Sequence, residues 1–144
     1  MKKMIVPNEI LLAEADDLLS RGIEVILMTK GNSMLPFIRG EKDSVNLKKY
    51  DAVEVGDIVL ARIAPQRYVL HRIIAIEGDA VTLMGDGNLI GTESCRLSDI
   101  LGTVRAIIRP NGSVKKVTKG KLWRRLLPVR RYLLWAYRKL FVRK

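Results

Sequence analysis

The chain contains one cysteine and one histidine in 144 residues, few aromatic residues (6%), and no acidic residue beyond Lys115. Each shortage excludes something. A lone thiol, Cys95, makes no internal disulfide, so the chain is not a disulfide-stapled scaffold, and its cysteine usage fits a reducing compartment. No window reaches the roughly 18 uncharged apolar residues that a membrane-spanning helix needs. Met1-Lys2-Lys3 resembles the head of a signal peptide, but Glu9, Glu14, Asp16 and Asp17 follow where a sustained apolar run would be required. The expectation is a protein that stays on the side where it is made, in the cytoplasm.

The missing acidic residues also locate the charge. The formal net charge is +11, from 26 Lys and Arg against 15 Asp and Glu. Residues 115–144 hold 12 of those cations and none of the anions, so the remaining body is close to neutral. That asymmetry excludes a uniformly basic nucleic-acid-binding surface, and no specific nucleic acid is expected as a partner. What is present in quantity is apolar: 48% of residues, with 28% charged, enough to bury the core of one domain.

Residues 8–20 read as an amphipathic helix, with Asn8 as N-cap after Pro7, Glu9 in the first turn and Gly22 able to close the C-terminus. Ile23–Thr29 then switches to β-branched and aliphatic residues, which predicts a strand. Short apolar runs bounded by turn residues follow at Ser44–Leu47, Asp57–Ile63, Tyr68–Glu77, Ala80–Met84 and Ile100–Arg109. Their spacing predicts a mainly β, antiparallel body rather than alternating β/α units. Asn111-Gly112 marks a hairpin between Ile108 and Val114. The organisation is an N-terminal helix over 1–22, a β-rich body over 23–114, and a basic linker with an amphipathic helix over 115–144.

Three short segments carry chemistry-bearing residues in order. Gly31-Asn32-Ser33-Met34-Leu35-Pro36 places a serine in a glycine-bearing turn after a strand. Val69-Leu70-His71-Arg72-Ile73 sets the only histidine inside an apolar strand. Met84-Gly85-Asp86-Gly87-Asn88 is an acidic turn directly after a strand. Singly each is an ordinary turn or strand residue. Jointly they supply a nucleophile, a base and a base-orienting acid. A serine hydroxyl must lose its proton as it attacks, and an imidazole with an ordinary pKa of about 6.5 suits that acceptor role. A carboxylate beyond it fixes the tautomer, and Gly31 permits a tight backbone whose N–H groups, that of Ser33 among them, face a developing oxyanion.

These segments resemble the signal peptidase I and LexA-type serine peptidase superfamily. Gly31–Pro36 is similar to its serine box, Val55-Gly56-Asp57-Ile58-Val59 to its Val-Gly-Asp-Ile-Val segment, and Val69–Ile73 with Glu77-Gly78-Asp79 to the strand bearing the general base. Gly85-Asp86-Gly87-Asn88 is similar to its Gly-Asp-x-Asn box. The matches span about residues 25–109 in family order. The base position in many members is lysine; His71 points to the Ser/His branch typical of the endoplasmic-reticulum and archaeal signal peptidases. The resemblance implies a fold of coiled antiparallel sheets, Ser33 as nucleophile with its own N–H as oxyanion donor, His71 as base, and cleavage of an extended peptide bound as an added strand. Asp86 is the expected supporting acid. In the Ser/His branch that acid tends to lie just beyond the Gly-Asp-x-Asn box, where Glu93 stands, so Glu93 is the reserve. No cofactor and no metal are expected.

From Leu122 the periodicity is helical again, with Pro128 expected to open the main helix. Leu122, Trp123, Leu126, Leu127, Leu133, Leu134, Tyr137, Leu140 and Phe141 mostly share one face, and Arg124, Arg125, Arg131, Arg138, Lys139 and Arg143 gather on the other. Two readings follow: a helix packed on the body, or an interfacial helix over residues 122–144 on an anionic membrane, peripheral at its inner face. The functional expectation is a serine endopeptidase acting on peptide or leader-like precursor substrates. The rivals are a non-catalytic peptide-binding scaffold of the same fold and a LexA-type regulator without its DNA-binding domain. The latter requires a scissile Ala-Gly or Cys-Gly bond, and neither dipeptide occurs.

Overall fold

The computed structural model describes residues 5–6, 10–29, 31, 33–65, 67–87, 91–120 and 129–141. Among them the chain is mainly antiparallel β-sheet, with one helix near each end. The strands are β1 (Ile5–Val6), β2 (Val25–Met28), β3 (Ser44–Lys48), β4 (Ile58–Ala64), β5 (Arg67–Glu77), β6 (Ala80–Met84), β7 (Glu93–Arg96), β8 (Ile100–Ile108) and β9 (Val114–Lys116). The described helices are α1 (Ile10–Ser20) and α2 (Arg130–Phe141), and a 3-10 turn covers Leu97–Asp99. Asn8 and Glu9, expected to start α1, and residues 122–128, including Pro128, lie outside the described residues.

The strands join in the order β1-β2-β3-β8-β4-β5-β6-β7, with β9 beside β8. Only β1 and β2 run parallel. One edge of β8 carries β3; its other edge carries β4 along its first half and β9 along its second. Register shifts interrupt four of these pairings, at Asn46/Leu47, Leu60/Ala61, Arg62/Ala64 and Ile73/Ala75. Each extra residue bends and twists its strand, and the middle of the sheet carries a core on each face.

Strand β4 shows why. Its sequence, Ile-Val-Leu-Ala-Arg-Ile-Ala, has no polar alternation until Arg62, because both faces are covered. Ile58 and Leu60 enter a core with Leu27, Val45, Leu47, Met34, Ile38, Leu101, Val104 and Ile107. Val59 and Ala61 enter a second core with Ile73, Val81, Leu83 and Ile100. Strand β5 divides in the same way: Tyr68 and Leu70 face the first core, while Val69 and Ile73 face the second. Ile76 joins Ile73 on that side although three residues on, because the register shift between them reverses the alternation. Ala15 and Leu19 of α1 lie fully in the first core, so this helix belongs to the body. Among the described residues no helix is long and apolar enough to cross a membrane.

Candidate active site

The serine sits on a loop between β2 and β3 whose neck is tied shut. Gly31 has φ 73°, a left-handed conformation that suits glycine. A Cβ built on Gly40 would overlap the Gly31 backbone outright, so only glycine lets the two strands of the neck meet. Around it, Thr29 Oγ1 donates to the carbonyl of Asp43 at 2.7 Å, and Glu41 N–H donates to the carbonyl of Thr29 at 2.7 Å. The fully buried Asp43 carboxylate accepts the Arg39 backbone N–H at 2.8 Å and pairs with the Arg39 and Arg109 guanidinium groups. Burial alone would raise its pKa. The hydrogen bonds from Arg39 and the charges of Arg109 and Arg39 outweigh burial and hold the carboxyl below the usual carboxylate range.

Within the loop, the carbonyl of Met34 accepts N–H bonds from Phe37 at 3.1 Å and Ile38 at 3.0 Å, forming a helical turn. Ser33 heads that turn, half-buried, while Met34, Leu35 and Ile38 are buried beneath it. Ser33 and its N–H, the expected oxyanion donor, therefore stand on a turn anchored by its own apolar residues. The loop is joined to the turn after β6: Gly87 N–H donates to the Ser33 carbonyl at 2.7 Å, and Asp86 N–H approaches Met34 Sδ at 3.4 Å. Asn32 and Asn88 of the two boxes lie outside the described residues.

Strand β5 presents its two central polar residues to opposite faces. His71 follows Val69 and Ile73 onto the second core's side and is 7% exposed. Its Nδ1 lies 2.8 Å from Glu93 Oε1, at the start of edge strand β7, although the oxygen is displaced from the axis of the ring N–H. Arg67 approaches the other oxygen of Glu93 at 3.1 Å, which makes a chain of Arg67, Glu93 and His71. Burial pushes the imidazole pKa below its ordinary value; the charges of Glu93 and Asp86 oppose that shift without reversing it. His71 is thus neutral at pH 7. A carboxylate at Nδ1 favours the tautomer that leaves Nε2 as the proton acceptor.

Arg72 turns the other way and is the most enclosed cation among the described residues, at 1% exposure. Its Nε and Nη2 bond both oxygens of Asp86, at 2.8 and 2.7 Å, in a two-pronged pair. Its Nη1 donates to the carbonyls of Gly56 at 2.8 Å and Thr118 at 2.6 Å, and its guanidinium lies 5.1 Å from the centroid of the Phe37 ring. Gly120 abuts it so closely that a Cβ there would fall 2.8 Å from Arg72 Cζ. One side chain therefore gathers strand β5, the Asp86 turn, the Gly56 turn, the Ser33 loop and the Thr118–Gly120 segment.

The expected site residues consequently fall into two linked halves. Ser33 is joined through its backbone to the Asp86–Gly87 turn, and His71 is joined to Glu93. The adjacent residues His71 and Arg72, with Asp86, connect the halves. Asp86, expected to support His71, has both carboxylate oxygens engaged by Arg72, and the reserve residue Glu93 is the one against Nδ1. The reason is register: Arg72 pairs with Met84, so the chain two residues on meets the guanidinium, whereas His71 faces the side where β7 brings Glu93. The importance of Arg72 had no motif to announce it, but an arginine inside an apolar strand requires a buried acid, and Asp86 lies in the turn just beyond the neighbouring strand β6.

Among the described residues no group of three His, Cys, Asp or Glu side chains is arranged to hold a metal ion. Two clefts, of about 410 and 440 Å³, open on either side of the segment 50–53, one against Asp57, Arg105 and Lys119 and the other against Ile76, Leu97 and Thr103. Neither includes Ser33 or His71. In comparisons with known proteins, no family model and no curated protein matches the chain.

Proposed function

We propose that the protein is a serine endopeptidase of the Ser/His type, resembling signal peptidases, which cleaves extended peptides or leader-like precursors. The observation that carries this reading is the environment of the only histidine: buried, neutral, with a carboxylate at Nδ1, on a strand tied through Arg72 and Asp86 to the serine loop. An ordinary core histidine has no need of such a carboxylate, and an ordinary turn serine has no need of so firmly fixed a loop. In the proposed reaction Ser33 Oγ attacks the peptide carbonyl as its proton passes to His71 Nε2. The imidazolium, stabilised by Glu93, then protonates the leaving amine, and water repeats the sequence on the acyl-enzyme. A cytoplasmic setting, peripheral to the inner face of the membrane, accompanies this reading; what supports it is the basic tail, matched to an anionic leaflet.

A fluorophosphonate label on the intact protein provides the test. Ser33 should be modified in the parent, not in Ser33→Ala, and at least about 10²-fold more slowly in His71→Ala. Digestion of a peptide library should be lost in both single variants, with the double variant scarcely worse. Labelling of His71→Ala within a few-fold of the parent would remove the histidine from the mechanism. No label at Ser33 in the parent, with the fold intact, would leave a peptide-binding scaffold as the reading.

A further inference from the structure

Helix α2 carries more apolar surface than the body covers. Leu134 is 2% exposed, seated on Leu35 of the serine loop, with Phe37 and Tyr137 packed around the contact. On the rest of the helix Tyr132, Trp135 and Leu140 are 68%, 64% and 72% exposed, and Leu133 is also exposed. At 100° per residue these four spread over roughly the half of the helix turned away from Leu134. Exposed Lys139 stands among them and exposed Arg131 at their margin beside Trp135, and Lys139 Nζ lies 4.8 Å over the Trp135 ring. A cluster of large apolar side chains left in water on one short helix marks an interaction surface.

The charge selects the occupant. Residues 115–144 hold twelve basic residues and no acidic one. A second copy of the helix would set cation against cation across the contact. A bilayer with anionic headgroups satisfies every part: Arg131 and Lys139 meet phosphate, the amphipathic Trp135 and Tyr132 suit the headgroup boundary, and Leu133 and Leu140 reach the first acyl carbons. We propose that α2 seats the protein on an anionic lipid surface through Tyr132, Leu133, Trp135 and Leu140, while Leu134 fastens the Ser33 loop to the same helix. The loop is thereby held at the lipid surface, where a substrate emerging from or lying on the bilayer would meet it. The lipid contact itself does not depend on Ser33 being a nucleophile.

Full-length protein carrying Ser33→Ala is used, so that turnover does not enter the readout. It should co-sediment with vesicles of phosphatidylglycerol and phosphatidylcholine, and at least tenfold less with phosphatidylcholine alone. Raising salt should weaken binding and leave a salt-resistant remainder from apolar insertion. Trp135→Ser with Leu140→Ser should lower partitioning at least tenfold with an unchanged melting curve, since both side chains are exposed. In a Trp123→Phe background, the emission of Trp135 should shift to the blue on adding anionic vesicles. Equal binding by the double variant, an unshifted Trp135, or no binding to anionic vesicles overturns the proposal. A concentration-dependent dimer that the double variant abolishes, without vesicle binding, overturns it in favour of a second copy.

Discussion

Glu93 and Asp86 flank the same strand, and their surroundings give them different work. Asp86 neutralises a buried guanidinium, so Asp86→Asn leaves Arg72 charged and unpaired; the expected cost is about 3–5 kcal/mol of stability, read in a denaturant melt. Glu93 is only partly buried and meets a neutral imidazole. Glu93→Gln should cost about 1 kcal/mol or less, yet in the proposed reaction it should slow peptide cleavage by about 10²-fold, because the tautomer and the forming imidazolium would lose their partner. If Asp86→Asn slowed cleavage while leaving the melt unchanged, these roles would be reversed. The pH profile reports on the same residue. Burial holds the His71 pKa below 6.5, so the acid limb of kcat/KM should fall below that pH, with the base competent above it. Glu93→Gln removes a charge that raises the imidazole pKa, and should move the limb further toward acid. In stability terms, a lowered native pKa contributes fully above the unfolded value and is lost as pH falls through the native one; Asp43, held low by Arg39 and Arg109, extends the loss to still lower pH.

The elements were legible to the degree that their own residues stated them. Strands β2 to β6 and β8 follow from β-branched and aliphatic runs between turn residues, and the Asn111-Gly112 hairpin joins β8 to β9. Strand β7 was unannounced because Glu-Ser-Cys-Arg carries no apolar alternation; it forms by pairing with β6, and without that pairing Glu93 has no fixed place. The two-residue β1 is likewise specified only by its neighbour β2. Within α2, periodicity grouped Leu133, Leu134 and Leu140 on one face, but the body takes Leu134 and leaves the other two outside. Which part of an apolar stripe is covered depends on the shape of the partner, here the Leu35 and Phe37 prominence on the serine loop. That loop yields a prediction at its own scale. Gly40→Ala places a methyl into the Gly31 backbone at the neck, which should cost about 1–3 kcal/mol and abolish labelling of Ser33, with the β-sheet circular dichroism signal retained. Retained labelling would show that the neck is not needed to hold the serine.

For the molecule as a whole, the residue types of the site were readable and their partnership was not. Three chemistry-bearing segments in a fixed order pointed to Ser33 and His71, but nothing local in the sequence says that β8 lies between β3 and β4, or that Arg72 reaches Thr118 across 46 positions. Those relations come from long-range register, which depends on packing both faces of the middle strands. The distribution of charge was legible at this scale too, since composition alone separates a near-neutral body from a cationic tail. Its consequence for the site appears only when Leu134 docks beside the serine.

The central position of β8 has a consequence in time. It is the strand that joins the two halves of the sheet, and among the described strands it is the last long one in sequence. Until residues 100–108 are made, β3 and β4 have no common neighbour. Until Arg109 and Thr118 follow, Asp43 lacks one of its cations and Arg72 one of its acceptors. Contacts this distant in sequence also form slowly once the chain is free. A nascent chain whose residues 1–98 have cleared the ribosome should therefore present both Ser33 and His71 and still refuse the fluorophosphonate, whereas the released 144-residue chain accepts it; equal labelling of the two would show that the serine loop matures without β8. On this account the proposed reactivity of Ser33 waits until residues 100–118 have been made, and a growing chain stays inert beside its unfolded neighbours until then.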